Sequence, residues 1–255
     1  MQAPGGMRPP LGVLFDAPFG DTLDDLVALS LLYNLDSKNE CRVACMTTAK
    51  DNLLSAGLYE VYQKLYGGRP TAIGMATGKV RGETSGVLKA AMEGQTTGVR
   101  SVLDTAEPHG LMRNLLTAYH DGNAVIICTG PTDHLKELLR LPTARPVVAA
   151  KVKMLYLAGE KQEPVADWPS PVTVIGSEQT KGLTYRPKVE DFAWTEKHPV
   201  AQALKANPSA TLNLAGAVAV LQAVRGKDVA GVDALLAELV GAKPAPRQRP
   251  RFGAF

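Results

Sequence analysis

The stretch GVLFDAPFGDTLDDLVAL, residues 12–29, decides the fold of this chain. A short apolar run, 12–16, ends at Asp16, and after a turn a helix begins with Asp24 and Asp25 in its first turn. Open α/β sheets bind their ligands beyond the carboxyl ends of their strands, so these side chains are predicted to gather at that edge. The stretch therefore predicts an α/β sheet with a carboxylate cluster where such sheets place a ligand.

Two interpretations of the carboxylate cluster stay open on the pattern alone. Thr22 and Asp25 have the spacing of a capping box, and acidic residues in a first helical turn are favoured by the helix dipole. Capping explains neither Asp16 at the end of an apolar strand nor the adjacency of Asp24 and Asp25, whose charges repel each other. The cluster is thus either a site for a cation and a polyol or a capped helix.

The composition favours one large α/β domain. The chain has 255 residues, of which 45% are hydrophobic, and this is enough for a substantial core. Its 28 basic and 25 acidic residues nearly balance, and much of the basic excess lies at the end of the chain, which argues against a nucleic-acid surface. No apolar run reaches membrane-spanning length. We therefore expect neither a nucleic-acid nor a membrane partner.

The compartment of the protein stays open on the sequence. Cys41, Cys45 and Cys128 lack metal-ligand spacing, and the last two lie in apolar runs, which favours small core residues over a disulfide or a nucleophile. No signal-peptide core occupies the beginning of the chain, but the opening MQAPGGMRPP resembles a mature N-terminus from which an export signal has been removed. A cytoplasmic and an exported location, periplasmic or secreted, both agree with this pattern.

Strand-like and helical patterns alternate along the chain and predict a mostly parallel, doubly wound sheet with helices on both faces. The chain is divided into a flexible segment (1–10), the α/β domain (11–242) and a disordered basic tail (243–255). Long loops at 79–107 and 159–170 are predicted as lids or substrate walls. Strands are predicted at 12–16, 42–47, 70–74, 124–129, 152–157 and 172–175. Helices are predicted at 22–34, 52–66, 109–120, 132–140, 200–206, 214–225 and 229–240.

Four segments, in this order, resemble the bacterial branch of the inosine-uridine preferring nucleoside hydrolases. The strand end and turn at 16–25 are similar to the family's D-x-D and D-D motifs, and Asp51-Asn52 resembles its asparagine after the second strand. ICTGPTDHLKELL, residues 127–139, resembles its T-G-P segment, and AVAVLQAVRG, residues 217–226, resembles its closing helix. A single T-G-P is only a turn, but four ordered segments are far more specific.

The resemblance implies hydrolysis of the N-glycosidic bond of ribonucleosides with the help of calcium. In that chemistry the ion binds water and ribose hydroxyls while an aspartate takes the proton of the water. By position, Asp25, Asp16 and the Thr129 carbonyl would be metal ligands, and Asp24 would hold a ribose hydroxyl. Asn52 would contribute an amide to the sugar. The family also implies a homodimer or homotetramer.

The chain departs from the family at two positions. Pro18 stands where the family has the aspartate that both binds calcium and acts as general base. The family also has an aspartate just before its closing helix. It aligns with Gly216 here, or with His198 if residues 197–199 are taken as the corresponding segment. Asp21 in the turn is either a substitute that swings inward or a solvated turn residue, and turn preferences favour the second.

Two functions from different classes follow for the predicted site. The first is a nucleoside hydrolase whose catalytic residues are Asp16, Asp21 and Asp24, with Asp16 or Asp21 as a relocated base. The second is a degenerate relative that binds a nucleoside or sugar without turnover. Trp168, in an irregular stretch, is the candidate to stack on the base. For the other candidates on the base side, packing or surface roles are favoured; these are His109, His134, His198 and Trp194.

Overall fold

The computed structural model of the chain describes residues 10–78, 82–160, 162–226 and 230–246. Apart from Pro10, the predicted N-terminal segment lies outside the described residues, as does the predicted basic tail from residue 247 onward. The first residues of that tail are described, and the Ala245 backbone N–H donates a hydrogen bond to the Ser37 hydroxyl, 3.1 Å away. This contact fixes the start of the tail against the body of the protein.

Six parallel strands form one sheet, which confirms the predicted doubly wound α/β fold. The spatial order of the strands is β3-β2-β1-β4-β5-β6, so the chain first winds outward from β1 in one direction and then in the other. The strands are β1 (Leu11–Ala17), β2 (Cys41–Thr48), β3 (Ala72–Met75), β4 (Ala124–Cys128), β5 (Val152–Ala158) and β6 (Val172–Ile175).

The described residues also form ten α-helices and two 3₁₀ turns, some of which connect the strands and some of which follow β6. Seven of the helices were predicted, with ends that differ by a few residues. The helices are α1 (Leu23–Ser37), α2 (Leu53–Leu65), α3 (Gly86–Ala91), α4 (Pro108–Thr117), α5 (Asp133–Arg140), α6 (Ala144–Lys151), α7 (Ser177–Thr180), α8 (Pro199–Ala206), α9 (Ala215–Arg225) and α10 (Val232–Leu239), and the 3₁₀ turns are Val102–Asp104 and Val189–Phe192.

Helices α3, α6 and α7 are additions to the predicted set. Helix α3 lies inside the long predicted loop and is only six residues long, with the Ser85 hydroxyl accepting a hydrogen bond from the Leu88 backbone N–H. Helix α6 follows α5 after Thr143, which adopts a left-handed backbone with φ 63°. Short helices of this kind present too few turns for their apolar period to be recognised in sequence.

Alternation along the strands divides the core between the two faces of the sheet. Val13 and Phe15 of β1 belong to the apolar cluster that also contains buried residues of α1, α2 and α9. Leu14 belongs to the cluster on the opposite face, with residues of α4, α5 and α6. Successive side chains of a strand point to opposite faces, so Asp16 lies on the same face as Leu14, toward α4 and α5.

The three cysteines lie in the core, as the sequence analysis favoured. Cys41, Cys45 and Cys128 are buried free thiols. Burial raises the pKa of each thiol, which makes these residues packing groups rather than nucleophiles. In the part of the chain that the structure describes, no helix combines the length and the apolar character needed to cross a membrane.

Candidate functional site

The candidate site lies where the strand order reverses, between the carboxyl ends of β1 and β4. The Asp16 carbonyl accepts a hydrogen bond from the Thr129 backbone N–H at 2.9 Å, which joins the two strand ends. An open α/β sheet has its natural crevice at this point, because the helices that follow the two strands leave toward opposite faces. The sequence-predicted residues of β1, α1 and the T-G-P turn therefore do meet at one edge of the sheet.

Asp16 is buried on the α4–α5 side of the sheet, with only 1% of its surface exposed. Its neighbours across the sheet are Thr47 of β2 and Cys128 of β4, as the strand register requires. One carboxylate oxygen accepts hydrogen bonds from the Thr47 hydroxyl at 2.7 Å and from Nδ1 of His134 at 2.9 Å. Both donors belong to the protein, so this carboxylate is committed to internal contacts.

His134 is the site residue that sequence reasoning assigned only a packing or surface role. It lies in the first turn of α5, five residues after Thr129, and 7% of its surface is exposed. Burial pulls the pKa of His134 down, but the charge of Asp16 and its hydrogen bond outweigh this and raise the pKa above its ordinary value. The signal available in the sequence was the alternation of β1, which places Asp16 on the face that α5 covers.

Asp24 ties the start of α1 to the entry of α9. One of its carboxylate oxygens accepts hydrogen bonds from the backbone N–H groups of Asn213 and Leu214, at 3.0 and 2.7 Å. Burial raises the pKa of Asp24, and the two backbone hydrogen bonds oppose this shift. Leu214 precedes α9 with a left-handed backbone of φ 61°, so the carboxylate satisfies N–H groups at a strained helix entry.

Asp25 is held by hydroxyl groups on both of its oxygens. Thr129 donates to one oxygen at 2.8 Å, and Thr22 donates to the other at 3.2 Å. The Thr22 hydroxyl also accepts from the Asp25 backbone N–H at 3.4 Å, so the helix cap that the sequence suggested is present. Burial is the main reason that the pKa of Asp25 rises to about 7, and the neighbouring charge of Asp24 adds to it.

Pro18 and Gly216, the two positions that depart from the family pattern, are both closely packed against their neighbours. An ideal Cβ on Gly130 would lie 2.5 Å from Cδ of Pro18, so the pyrrolidine ring occupies the space directly against the T-G-P turn. An ideal Cβ on Gly216 would lie 3.2 Å from both Ala28 and the methyl group of Thr129. An aspartate at position 216 would therefore displace its neighbours, since contacts this short are rare between real side chains.

A buried lysine that the sequence analysis did not single out pairs with the turn aspartate. Lys50, in the segment after β2, has a side chain that is 2% exposed, and its ammonium group contacts the Asp21 carboxylate. The Asp21 side chain is 38% exposed. This ion pair fixes the turn between β1 and α1, and it directs Asp21 toward the lysine rather than leaving it as a solvated turn residue.

Asn52 and Trp168 are also engaged within the protein. The Asn52 side chain caps α2 by accepting from backbone N–H groups, and its Nδ2 donates to the Gly82 carbonyl at 2.7 Å. The Trp168 indole packs against the core cluster on the α4–α6 face, and its Nε1 donates to the Ser170 hydroxyl at 2.8 Å. The structure does not place either side chain in contact with the aspartates of the site.

The remaining sequence candidates lie away from the aspartates. His198 caps α8 inside an aromatic cluster, with Nε2 3.0 Å from the Tyr66 hydroxyl, and burial lowers its pKa to about 3. Trp194 packs against the same cluster and donates from Nε1 to the Gly241 carbonyl at 2.8 Å. His109 pairs with Glu107 at the start of α4. His198, the alternative position for the family's late aspartate, therefore contributes to the core rather than to the site.

A cavity of about 510 Å³ opens beside the carboxyl ends of β1, β4 and β5. We call it the switch-point cavity. Two of its lining residues each have a buried polar atom without a hydrogen-bond partner among the described residues, the hydroxyl of Thr132 and Oε1 of Gln162. The lining residues are Pro18, Thr129, Gly130, Pro131, Thr132, Asp133, Gly159, Glu160, Gln162 and Glu163.

The donors at this edge do not fit calcium, the ion that the resemblance implies. Calcium requires six to eight oxygen ligands, largely from carboxylates and carbonyls. Asp16 faces Thr47 and His134, the oxygens of Asp25 accept from hydroxyls, and Pro18 carries no side-chain donor. Within residues 10–78, 82–160, 162–226 and 230–246, no three His, Cys, Asp or Glu side chains are grouped so that they could hold a metal ion.

Solved structures share this fold over nearly the whole chain. The crystal structure of the effector protein XOO4466 matches with a TM-score of 0.70 at 13% identity, covering 93% of this chain and 95% of that one. The type III effector XopQ, complexed with adenosine diphosphate ribose, matches with a TM-score of 0.65 at 14% identity, over 94% of each chain. An inosine-uridine preferring nucleoside hydrolase from Bacillus anthracis matches with a TM-score of 0.58 at 15% identity, covering 84% and 82%.

These matches show that the chain has a nucleoside hydrolase-like fold. No protein-family model matches the chain, and no curated protein sequence is significantly similar to it. At identities this low the likeness concerns the fold alone, because one fold can carry different functions. What the protein does must therefore be argued from its own residues.

Proposed function

We propose that this protein binds a ribose-containing ligand, a nucleoside, in the switch-point cavity, without calcium and without cleaving the N-glycosidic bond. The observation that carries the proposal is the commitment of Asp16, Asp24 and Asp25 to donors of the protein itself beside a cavity that stays open. A carboxylate that already accepts strong hydrogen bonds from the protein is poorly available to a metal ion or a water molecule.

The lining of the cavity suits sugar hydroxyls. Thr132 and Gln162 line the cavity, and each has a buried polar atom without a partner among the described residues, so each would gain a hydrogen bond if a rotation of its side chain turned that atom toward a ligand hydroxyl. Glu160 and Glu163 add acceptors at the rim. A volume of about 510 Å³ falls within the ordinary range of small-molecule sites and accommodates a nucleoside.

Two comparisons support this ligand class. The Bacillus anthracis neighbour is described as preferring inosine and uridine, and the XopQ neighbour is described in complex with adenosine diphosphate ribose. Both ligands contain a ribosyl group. We propose a ribosyl ligand for this protein as well, because the switch-point cavity occupies the usual ligand position of its fold.

Hydrolysis requires an activated water, and the side chains at this edge give little support for one. In glycoside hydrolysis a carboxylate removes the proton from the attacking water, while a second group assists the leaving base. Pro18 occupies the position of the expected general base, and Asp21, the alternative, is paired with Lys50. The degenerate, non-hydrolysing form is therefore the function that we favour.

The proposal is tested by thermal-shift titration with inosine, uridine and adenosine diphosphate ribose, together with chromatographic detection of the free base. A ligand that binds only the native state raises the melting temperature in proportion to its saturation. We expect stabilisation by at least one of these ligands in the presence of EDTA, and no release of base. Base release that disappears in EDTA would overturn the proposal in favour of the metal-assisted hydrolase.

A variant of Thr132 locates the binding site. Thr132→Val removes the unpartnered hydroxyl with almost no change in shape, and we expect about tenfold weaker binding from the loss of one buried hydrogen bond. Thr117→Val is the matched control, because Thr117 is exposed on α4 and does not line the cavity. Equal affinities for the two variants would place the ligand elsewhere.

A further inference from the structure

A second and larger cavity lies on the α4–α5 side of the same sheet edge. Its volume is about 670 Å³, and we call it the α4–α5 cavity. It is formed by the ends of β2 and β3, the 3₁₀ turn Val102–Asp104 and the first turns of α4 and α5. Asp133 borders both cavities, whereas the aspartates of α1, Asp24 and Asp25, line neither of them.

His134 is presented to the α4–α5 cavity by Asp16. Its Nδ1 is 2.9 Å from the buried Asp16 carboxylate, which in turn accepts from Thr47 at 2.7 Å. This arrangement fixes the orientation of the imidazole ring, as a carboxylate does when it orients a functional histidine. Nε2 has no hydrogen-bond partner in the described part of the chain, so it is the ring atom available to a molecule in the cavity.

A second imidazole faces the same space. His109 lines the cavity, and its Nδ1 pairs with the Glu107 carboxylate, which also accepts from the backbone N–H groups of His109 and Gly110. The cavity thus contains two histidines that are each fixed by a carboxylate. Hydroxyl groups of Thr77 and Thr105 complete its polar lining.

The charge and the walls of the cavity define the kind of ligand. No lysine or arginine belongs to its described lining, so nothing there would compensate a phosphate or carboxylate ligand. Its three carboxylates are already paired: Glu107 with His109, Glu137 with Arg140 and Asp133 with Lys136. Most of the remaining wall is apolar, from Ala49, Met75, Ala76, Val102, Ala106 and Pro108.

We propose that the α4–α5 cavity binds a neutral heteroaromatic molecule of nucleobase size, with its flat body against the apolar wall and its hydrogen-bonding edge on Nε2 of His134. Small-molecule sites commonly combine an apolar wall with a few fixed polar groups in this way. Asp16 is the positioning residue of this site, since it holds His134 without lining the cavity. The proposal does not depend on ribosyl binding in the switch-point cavity.

Ligand-observed NMR titration of the full chain with adenine, hypoxanthine and uracil tests the proposal. We expect at least one of these bases to bind. His134→Asn keeps a donor near Nδ1 for Asp16 but removes Nε2, and we expect about tenfold weaker binding. His134→Gln places its amide near the position of Nε2 and should retain more affinity than His134→Asn. A merely structural histidine predicts the reverse order, because asparagine preserves the Asp16 contact.

Two further variants complete the test. His120→Asn is the matched control at the opposite end of the sheet, where His120 lines a different cavity, and its affinity for the bases should equal that of the unmodified protein. Val102→Trp fills the α4–α5 cavity from a residue that is 46% exposed, so it should abolish base binding without unfolding the protein. No binding to the unmodified protein, equal or reversed affinities of the two His134 variants, or binding that survives Val102→Trp would each overturn the proposal.

Discussion

Asp16 is the residue that most clearly distinguishes this site from a calcium-binding site. Alternation along β1 places it on the face covered by α5, where it meets Thr47 and His134. On the other face, Asp24 and Asp25 find backbone and hydroxyl donors. The carboxylates that match the family in sequence position are thus divided between the two faces of the sheet. On each face they accept hydrogen bonds from the protein itself.

Gly130 offers a direct test of the packing against Pro18. Gly130→Ala puts a Cβ 2.5 Å from Cδ of the proline, so the turn must shift. We expect a loss of about 1–3 kcal/mol in the free energy of unfolding, measured with urea, together with weaker ribosyl binding. Gly86→Ala is the matched control, since its Cβ would meet nothing within 4 Å. Equal stability of the two variants would contradict the close approach.

At the scale of elements, side-chain contacts to backbone N–H groups hold helix ends both at the site and in the core. Asp24 bonds the N–H groups at the entry of α9, and His198 caps α8 within an aromatic cluster of Tyr62, Tyr66, Phe192 and Trp194. The family resemblance places Asp24 at a ribose-binding position and His198 at one of two possible positions of the late aspartate. In the folded protein they join distant helices.

Asp24→Ala should destabilise the protein because it leaves the N–H groups of Asn213 and Leu214 without their acceptor. The expected cost is about 1–2 kcal/mol in the free energy of unfolding, the range for losing a helix cap. Urea denaturation measures it. Asp133→Ala, in the exposed first turn of α5, is the control and should change stability much less. If the two variants were equally stable, Asp24 would not have the structural role assigned to it.

His198 makes stability depend on pH. Its pKa is lowered to about 3 in the folded protein, whereas an unfolded histidine titrates near its ordinary value of about 6.5. Between these values the unfolded chain binds more protons, so this contribution to stability is fully present above about pH 6.5 and is lost as the pH falls toward 3. Urea unfolding at about pH 4.5 and about pH 7 should show the difference.

His198→Asn should remove most of that pH dependence. Asparagine can still cap α8 through its amide oxygen, but it does not titrate. The variant should be less stable than the unmodified protein at neutral pH, because Tyr66 loses its partner and the aromatic cluster loses a ring. A pH dependence as steep as that of the unmodified protein would contradict the assignment to His198.

The sequence predicted the sheet and most helices because these elements have strong apolar periods. The strand 172–175 agrees with β6 at both ends, and the predicted helix 132–140 differs from α5 by one residue. The sequence did not predict α6, because the eight residues of this helix show little apolar periodicity. Contacts such as Lys50 with Asp21 depend on how distant segments pack, and a single sequence contains no signal for them.

The whole molecule combines a nucleoside hydrolase-like sheet with a changed set of donors at its ligand edge. Pro18 and Gly216 remove two expected carboxylates, while His134 and Lys50 give the remaining ones partners inside the protein. The crevice itself is retained, because it follows from the strand order and not from the identity of the side chains. We therefore propose the retained crevice as a ribosyl site that works without a metal ion.

Calorimetric titration of the full chain with inosine, once in EDTA and once in millimolar calcium chloride, tests this claim most directly. A site that does not use calcium should bind with the same dissociation constant in both buffers, and the nucleoside should be recovered intact. Binding that appears only in calcium, or that tightens by about tenfold or more when calcium is added, would contradict the account.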